Sequence, residues 1–260
     1  MIPSHFLIVG GMRCGSTYLV KLLDQHPEVL MGKPFWPEPK FFLNEDSTAI
    51  GKSEYLKRYF PNYKKFKCLG EKSVNYFEMH EAGTRIKEVL PEAKIVIILR
   101  DPVNRVISHY WYTKNHGYEN RTIAKVFERL KDKDPNQMVE GISMPPYLYL
   151  TRGLYHEHVE FYMQLFGHDN VFILILENLV ADPIGELVHL WKFLAVSTDF
   201  SPNKIEQKDN ESLKEDLHLP ASLLDRLANY FYPSNERLRR SFGLKIQRWR
   251  KPKLLKTFSR

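Results

Sequence analysis

Residues 10–17 combine glycines, an arginine and hydroxyl side chains at a spacing that suits an anion-binding loop. Gly10 and Gly15 match the Gly-x-x-x-x-Gly spacing of a phosphate-binding loop, in which backbone N–H groups surround the phosphate. Ser16 stands where such loops carry the lysine that reaches the β- and γ-phosphates, and the cation stands instead at Arg13. The loop therefore predicts phosphate binding, but it argues against a nucleotide kinase or another magnesium-dependent phosphotransferase.

A second anion-binding position lies at the end of the apolar run 94–100, where Arg100 precedes a helix that contains Ser108. Ligands of open α/β folds bind at the carboxyl ends of the strands, an edge that both side chains can reach. One phosphate at each strand end would define a nucleotide with two separated phosphate groups. We interpret Arg105, in the same helix, as a helix-cap or surface salt-bridge residue.

Three apolar runs predict the strands that carry these loops: residues 6–9, 94–100 and 170–176. The last two lack polar alternation, as expected for strands covered on both faces of a parallel sheet. Helical spacing follows the three runs, starting near Ser16, Pro102 and Pro183. We expect one α/β domain over residues 1–260, with lids or substrate loops at residues 35–63 and 115–146.

The chain of 260 residues is basic, with 38 Lys and Arg against 31 Asp and Glu and a pI near 9.2. This excess suits an anionic ligand, although no recognised DNA or RNA signature supports a nucleic-acid-binding module. Much of the excess lies in residues 237–260, interpreted as a solvated face, with a basic tail over about 244–260. Cys14 and Cys68 are too few for a disulfide framework, which favours a reducing compartment. The sequence starts without a basic leader and a long apolar stretch, and its apolar runs are too short for a membrane span. We therefore expect a cytoplasmic protein.

Several motifs, in order along nearly the whole chain, resemble the sulfotransferases that use 3'-phosphoadenosine 5'-phosphosulfate, particularly the carbohydrate branch related to heparan sulfate sulfotransferases. They are residues 11–19, 38–42, 70–73 with 76–77, 99–108 and 153–155. The resemblance implies a P-loop-like three-layer α/β fold with a central parallel sheet flanked by helices. It also implies sulfuryl transfer to a hydroxyl or amine of a sugar or small natural product, adenosine 3',5'-bisphosphate as the product, and no metal.

The resemblance further implies roles for individual side chains. Those that would hold the 5'-phosphosulfate are Arg13, Cys14, Gly15, Ser16 and Thr17, and those for the 3'-phosphate are Arg100 and Ser108. A later loop that would close over the nucleotide contains Asn210, Ser212 and Lys214. The residues assigned to the acceptor are Lys40, Tyr76 and Tyr155. Many family members have lysine at the position of Arg13, where arginine keeps the charge and adds a planar fork, and histidine is frequent at the position of Lys40.

For the transfer itself, we expect Arg13 and Lys72 to neutralise charge on the sulfuryl group and the leaving phosphate. Glu38 is the expected general base, by the resemblance and because its apolar neighbours in residues 36–42 should raise the pKa of its carboxyl. His109 and His116 are rival bases, since histidine titrates near neutral pH. Cys14 is interpreted as a small packing residue in preference to a reactive thiol.

Overall fold

The computed structural model describes residues 2–132, 137–139, 145–203 and 219–251. The strands of these residues are β1 (Ser4–Gly10), β2 (Val29–Met31), β3 (Cys68–Lys72), β4 (Lys94–Leu99) and β5 (Val171–Ile175). The helices are α1 (Ser16–Leu23), α2 (Glu45–Ala49), α3 (Gly51–Tyr59), α4 (His80–Val89), α5 (Pro102–Asn115), α6 (Ile123–Val126), α7 (His156–Phe166), α8 (Leu176–Ala181), α9 (Pro183–Leu194) and α10 (Ala221–Phe242).

The described strands form one parallel sheet in the order β2-β3-β1-β4-β5. In β4, the side chains from Ile95 to Leu99 are fully buried, which explains the absence of polar alternation in that run. The register of β1 places Ile8 opposite Lys72 of β3 and Gly10 opposite Ile97 of β4. Because the strands are parallel, their carboxyl ends and the loops that follow them lie at one edge of the sheet.

The predicted fold class is confirmed, and β1, β4 and β5 form where the apolar runs predicted strands. β2 and β3 were not predicted. All five residues of β3 are buried although Glu71 and Lys72 are charged, so its sequence carries no hydrophobic pattern. The stretch 35–63, interpreted as a lid or substrate loop, contains α2 and α3.

The described residues divide into two compact units, and the first comprises residues 2–100 and 157–203. It contains the sheet, α1 to α4, α8, α9 and almost all of α7. Its helices bury apolar side chains at helical spacing, as Leu19 and Leu22 do in α1 and Leu187 and Leu190 do in α9. The prediction of a single domain stays a prediction.

The second unit comprises residues 101–132, 137–139, 145–156 and 219–251, with α5, α6 and α10. Leu227 and Phe231 of α10 belong to the same apolar cluster as Val106 and Tyr110 of α5. In the described part of the basic stretch, the Lys and Arg side chains are exposed, as the interpretation of a solvated face expects: Arg237, Arg239, Arg240, Lys245, Arg248 and Arg250. Trp249, between two of these basic residues, is 4% exposed, and its ring packs against Tyr155 with centroids 5.9 Å apart.

Helices in the described ranges lack the combination of length and apolar character needed to cross a bilayer.

Candidate active site

The glycine loop after β1 is pressed against two neighbouring segments. A Cβ atom on Gly10 would lie 2.5 Å from the Cβ atom of Phe77, and one on Gly15 would lie 2.6 Å from a methyl carbon of Leu176. Gly15 also has φ 90°, a left-handed conformation that favours glycine. These glycines therefore allow both the turn and the close approach of the loop to its neighbours.

Arg13 and Arg100 are brought together at this loop. The guanidinium of Arg100 donates from Nη1 to the main-chain oxygen of Arg13 at 3.4 Å, and Arg13 itself adopts φ 64°. The N-cap residue of α1 is Gly15, which has no side chain with which to cap the helix. Backbone N–H groups at a helix start and the guanidinium of Arg100 against the loop provide positive potential that favours an anion.

Two of the predicted loop ligands are buried in the structure. The Cys14 side chain is fully buried, with Sγ 3.7 Å from the main-chain oxygen of Met12. Ser16 is 7% exposed at the first position of α1. The burial of Cys14 supports the interpretation of a packing residue over a reactive thiol.

Glu38 and Lys72 form a buried ion pair near the end of β3. Lys72 Nζ lies 2.8 Å from Glu38 Oε1, and the two side chains are 6% and 7% exposed. The other carboxylate oxygen of Glu38 accepts a hydrogen bond from the backbone N–H of Val74 at 3.0 Å. The expected apolar enclosure is incomplete, because Trp36 is 75% exposed. Charge pairing and a backbone donor, more than apolar neighbours, therefore define the surroundings of the predicted base.

A buried carboxylate next to this pair was not predicted as a site residue. Glu71 is fully buried and accepts hydrogen bonds from the hydroxyls of Tyr55, Ser73 and Tyr76 at 2.7, 2.6 and 2.8 Å. Desolvation by burial raises the pKa of the Glu71 carboxyl, and the three hydroxyl donors oppose this shift. The sequence carries only a weak signal for Glu71 as a site residue, because the one indication is that it immediately precedes Lys72, which was predicted to stabilise charge in the transfer.

The predicted acceptor residues in the first unit have different surroundings. Tyr76 is fully buried, and its hydroxyl lies within the Glu71 hydrogen-bond set, so its ring presents no surface to an acceptor in this structure. Lys40 adopts φ 51°, and its backbone N–H donates to Ser73 Oγ at 2.9 Å. The contact of either side chain with an acceptor stays a prediction.

Other predicted residues lie in the second unit. Ser108 is on α5, and its pairing with Arg100 around a 3'-phosphate stays a prediction. Tyr155 is 1% exposed. Arg105 is fully buried and donates to the main-chain oxygen of Tyr149, so its interpretation as a cap or surface residue is wrong.

The two rival histidines differ in exposure. His109 is fully buried, with its ring nitrogens 3.4 Å from Arg105 Nη1 and 3.5 Å from Arg152 Nη1. This agrees with the helix-packing interpretation. His116 lies on the surface, where Nδ1 contacts the main-chain oxygen of Tyr112 at 2.8 Å. Neither observation tests a role as a base.

The predicted nucleotide-closing residues Asn210, Ser212 and Lys214 lie outside the described residues. Within the part of the chain that the structure describes, no group of three or more His, Cys, Asp and Glu side chains is arranged to hold a metal ion.

Comparison with known proteins gives a consistent result. The family described as Sulfotransferase domain matches residues 3–219. The mouse bifunctional heparan sulfate N-deacetylase/N-sulfotransferase 3 is 29% identical over 201 residues, which is 75% of this chain and 23% of that protein. Mouse heparan sulfate glucosamine 3-O-sulfotransferase 3B1 is 30% identical over 190 residues, 73% of this chain and 45% of that protein. This chain thus spans less than half the length of these curated relatives.

Solved structures share the fold. A sulfotransferase from Alicyclobacillus acidocaldarius has a TM-score of 0.77 at 25% identity, covering 96% of this chain and all of that one. A mouse sulfotransferase, SULT7A1, complexed with PAP, has a TM-score of 0.50 at 16% identity, covering 87% of this chain and 63% of that one. The second similarity concerns the fold alone.

Proposed function

Because this chain belongs to the sulfotransferase domain family, we propose that it transfers a sulfuryl group from 3'-phosphoadenosine 5'-phosphosulfate to a hydroxyl or amine acceptor. The donor is a co-substrate, and adenosine 3',5'-bisphosphate leaves as the product. The observation that carries the proposal is the buried Glu38–Lys72 pair near the end of β3. The strand order puts this pair at the same sheet edge as the glycine loop after β1.

The donor's 5'-phosphosulfate would lie at the start of α1, where Arg13, the N–H groups of the first turn and the hydroxyls of Ser16 and Thr17 are available to an anion. The left-handed glycine N-cap of α1 supports this assignment. The 3'-phosphate is assigned to Arg100 and Ser108. The mouse SULT7A1 sulfotransferase is complexed with PAP, which supports an adenosine bisphosphate as the nucleotide to test.

In the proposed transfer, the acceptor oxygen or nitrogen forms a bond to sulfur in line with the bond that breaks. The breaking bond joins sulfur to the bridging oxygen of the 5'-phosphate, which leaves with the electron pair. Glu38 takes the acceptor's proton, while Lys72 and Arg13 stabilise the charge that develops on the sulfuryl oxygens and the leaving phosphate. The 2.8 Å pair places the base and one of these cations side by side.

The acceptor is proposed to be a sugar or a small natural product. The names of the heparan sulfate relatives support a carbohydrate acceptor. The exposed ring of Trp36, two positions before Glu38, offers a face on which a sugar ring can stack.

The cytoplasmic location, which rests on the low cysteine content, remains a proposal as well.

Donor binding and transfer can be tested separately. Adenosine 3',5'-bisphosphate should raise the melting temperature of the protein, whereas ATP with Mg²⁺ should have little effect. Transfer is then measured with radiolabelled donor against a panel of sugars, amines and phenols. The variant Glu38→Gln should bind the bisphosphate normally and lose about 100-fold or more in kcat.

The matched control is Glu45→Gln, because the Glu45 side chain is 88% exposed on α2. Stabilisation by ATP with Mg²⁺ but not by the bisphosphate would contradict the donor assignment. Near-normal kcat in Glu38→Gln would contradict the assignment of the base.

A further inference from the structure

Glu71 accepts hydrogen bonds from three hydroxyl groups, and two of these hydroxyls also accept hydrogen bonds from backbone N–H groups. Its Oε1 atom accepts hydrogen bonds from Ser73 and Tyr76, and its Oε2 atom accepts one from Tyr55. The carboxylate is fully buried, so these donors replace the water that it loses on folding. A hydroxyl has one proton, and in each of these groups that proton points to Glu71.

The direction of these hydrogen bonds lets two of the hydroxyls hold the segment that contains Glu38. With its proton committed to Glu71, a hydroxyl can only accept a second hydrogen bond. Ser73 Oγ accepts from the backbone N–H of Lys40 at 2.9 Å, and Tyr76 Oη accepts from the backbone N–H of Phe42 at 3.1 Å. An ionised carboxylate at position 71 thus orients both hydroxyls to hold residues 40–42.

Residues 38–42 lie outside the sheet, and these contacts tie them to the chain after β3. Glu38 is joined to the same stretch by Lys72 at 2.8 Å and by the Val74 N–H at 3.0 Å. Lys40, two residues later, has a left-handed φ of 51°, which carries a conformational cost for a non-glycine residue. The hydrogen bond to its N–H is one of the contacts that offset this cost.

We propose that Glu71 is a positioning residue, which fixes the Glu38 carboxylate and its Lys72 partner through the hydroxyls of Ser73 and Tyr76. The inference rests on the proposed function for its effect on transfer. Its geometric part, the anchoring of the Lys40 and Phe42 amides, stands apart from any activity. Glu71 reaches these residues only through other side chains and does not itself contact a substrate in this assignment.

The first test replaces Glu71 with glutamine, which keeps the size but adds two N–H donors. Where the NH₂ group takes the Oε1 position, the hydroxyls of Ser73 and Tyr76 have to accept from it, in competition with the Lys40 and Phe42 N–H groups. Where it takes the Oε2 position, only Tyr55 accepts from it, so the tyrosine variants below are read together with this one. Exchange of the Lys40 or Phe42 amide hydrogens, followed by NMR, should become at least about tenfold faster than in the wild type. The kcat for transfer should fall about 10- to 100-fold, with the affinity for adenosine 3',5'-bisphosphate unchanged, because only the alignment of the base is altered.

A pair of tyrosine variants separates positioning from general loss of packing, and it serves if Glu71→Gln does not fold. Tyr55→Phe and Tyr76→Phe each remove one buried hydroxyl that donates to Glu71. Only the Tyr76 hydroxyl also accepts from a backbone N–H of the Glu38 segment. We expect Tyr76→Phe to speed the exchange of the Phe42 amide hydrogen and to lower kcat. Tyr55→Phe should change neither quantity, although it should lower the free energy of unfolding by a similar amount.

The outcomes distinguish this inference from the proposed function. If the wild-type protein transfers no sulfuryl group but the amide exchange responds as expected, the proposed function fails while the anchoring by Glu71 stands. If transfer by the wild type is observed and both Glu71→Gln and Tyr76→Phe keep their kcat, the positioning role is wrong. Equal effects of the two tyrosine variants on exchange and kcat would overturn it as well.

Discussion

Lys72 Nζ and Glu38 Oε1 lie 2.8 Å apart in a site where both side chains are less than a tenth exposed. A buried pair of this kind carries a desolvation cost that its mutual attraction offsets, so each charge depends on the other. The same two groups are the proposed base and one of the proposed cations of the transfer. Stability and activity are therefore linked at this position.

Removal of one charge of this pair should destabilise the protein more than removal of both. Lys72→Met leaves a buried carboxylate without its cation, and we expect a loss of roughly 3–5 kcal/mol in the free energy of unfolding. The double variant Lys72→Met with Glu38→Gln should recover at least half of this loss. Urea unfolding of the four proteins in the cycle measures the coupling, and additive losses would show that the pair does not interact energetically.

Gly15→Ala should impair both folding and donor binding. The substitution combines a left-handed φ of 90° with a contact of 2.6 Å to Leu176. The conformational part alone is about 1–2 kcal/mol. Gly243→Ala is a matched control, since Gly243 has φ 62° and ψ 23°, in the same left-handed region as Gly15 with φ 90° and ψ 17°, but no atom within 4 Å of an added Cβ.

We expect Gly15→Ala to lose more unfolding free energy than Gly243→Ala and to bind adenosine 3',5'-bisphosphate at least about tenfold more weakly, measured by calorimetry. Leu176→Ala in the Gly15→Ala background should restore part of the stability by removing the contact. Equal losses in the two glycine variants would mean that the close approach to Leu176 has no energetic weight.

Acidification should destabilise the protein through His5. Burial, with a smaller contribution from the charge of Lys52, lowers the pKa of His5 from 6.5 to about 4. The neutral imidazole is therefore favoured in the folded state, so its contribution is complete above pH 6.5 and is lost as the pH falls toward 4. The shift corresponds to roughly 3 kcal/mol.

His5→Asn should remove this part of the pH dependence. For each protein, the unfolding free energy at pH 4 is compared with its own value at pH 7. The cost of the substitution itself then cancels. Burial also lowers the pKa of His158, so acid destabilisation should shrink without vanishing. His116→Asn, at an exposed site, is the control, and an unchanged pH dependence in His5→Asn would contradict the expectation.

Trp36→Ala should weaken acceptor binding without affecting the donor. The ring is 75% exposed, so its removal opens no cavity and should leave the unfolding free energy nearly unchanged. Loss of a stacking face should raise the acceptor KM roughly five- to tenfold. Ile184→Ala, at an exposed position on α9, is the control. An acceptor KM that stays at the wild-type value would exclude Trp36 from the acceptor site.

Local patterns in the sequence determined the strands β1, β4 and β5, the helices after them and the glycine loop. Each of these depends on residues close in sequence: a buried run has to be apolar, and a left-handed turn before a helix favours glycine at position 15. The parallel sheet follows, because such units connect right-handedly and bring their carboxyl ends to one edge. Arg13 and Arg100 could therefore be expected at the same edge.

Only the tertiary structure decided what surrounds the charged side chains. Nothing local to Glu71 predicts that Tyr55, Ser73 and Tyr76 satisfy it in the core, and nothing local to Glu38 predicts its pairing with Lys72. Ser73 and Tyr76 lie only two and five residues from Glu71 along the chain, but Tyr55 and the Glu38 partner of Lys72 come from other segments, so the environment of each charge depends on how these segments pack. For this reason the sequence predicted roles for Glu38 and Lys72 separately, and only the folded chain shows that they form an ion pair.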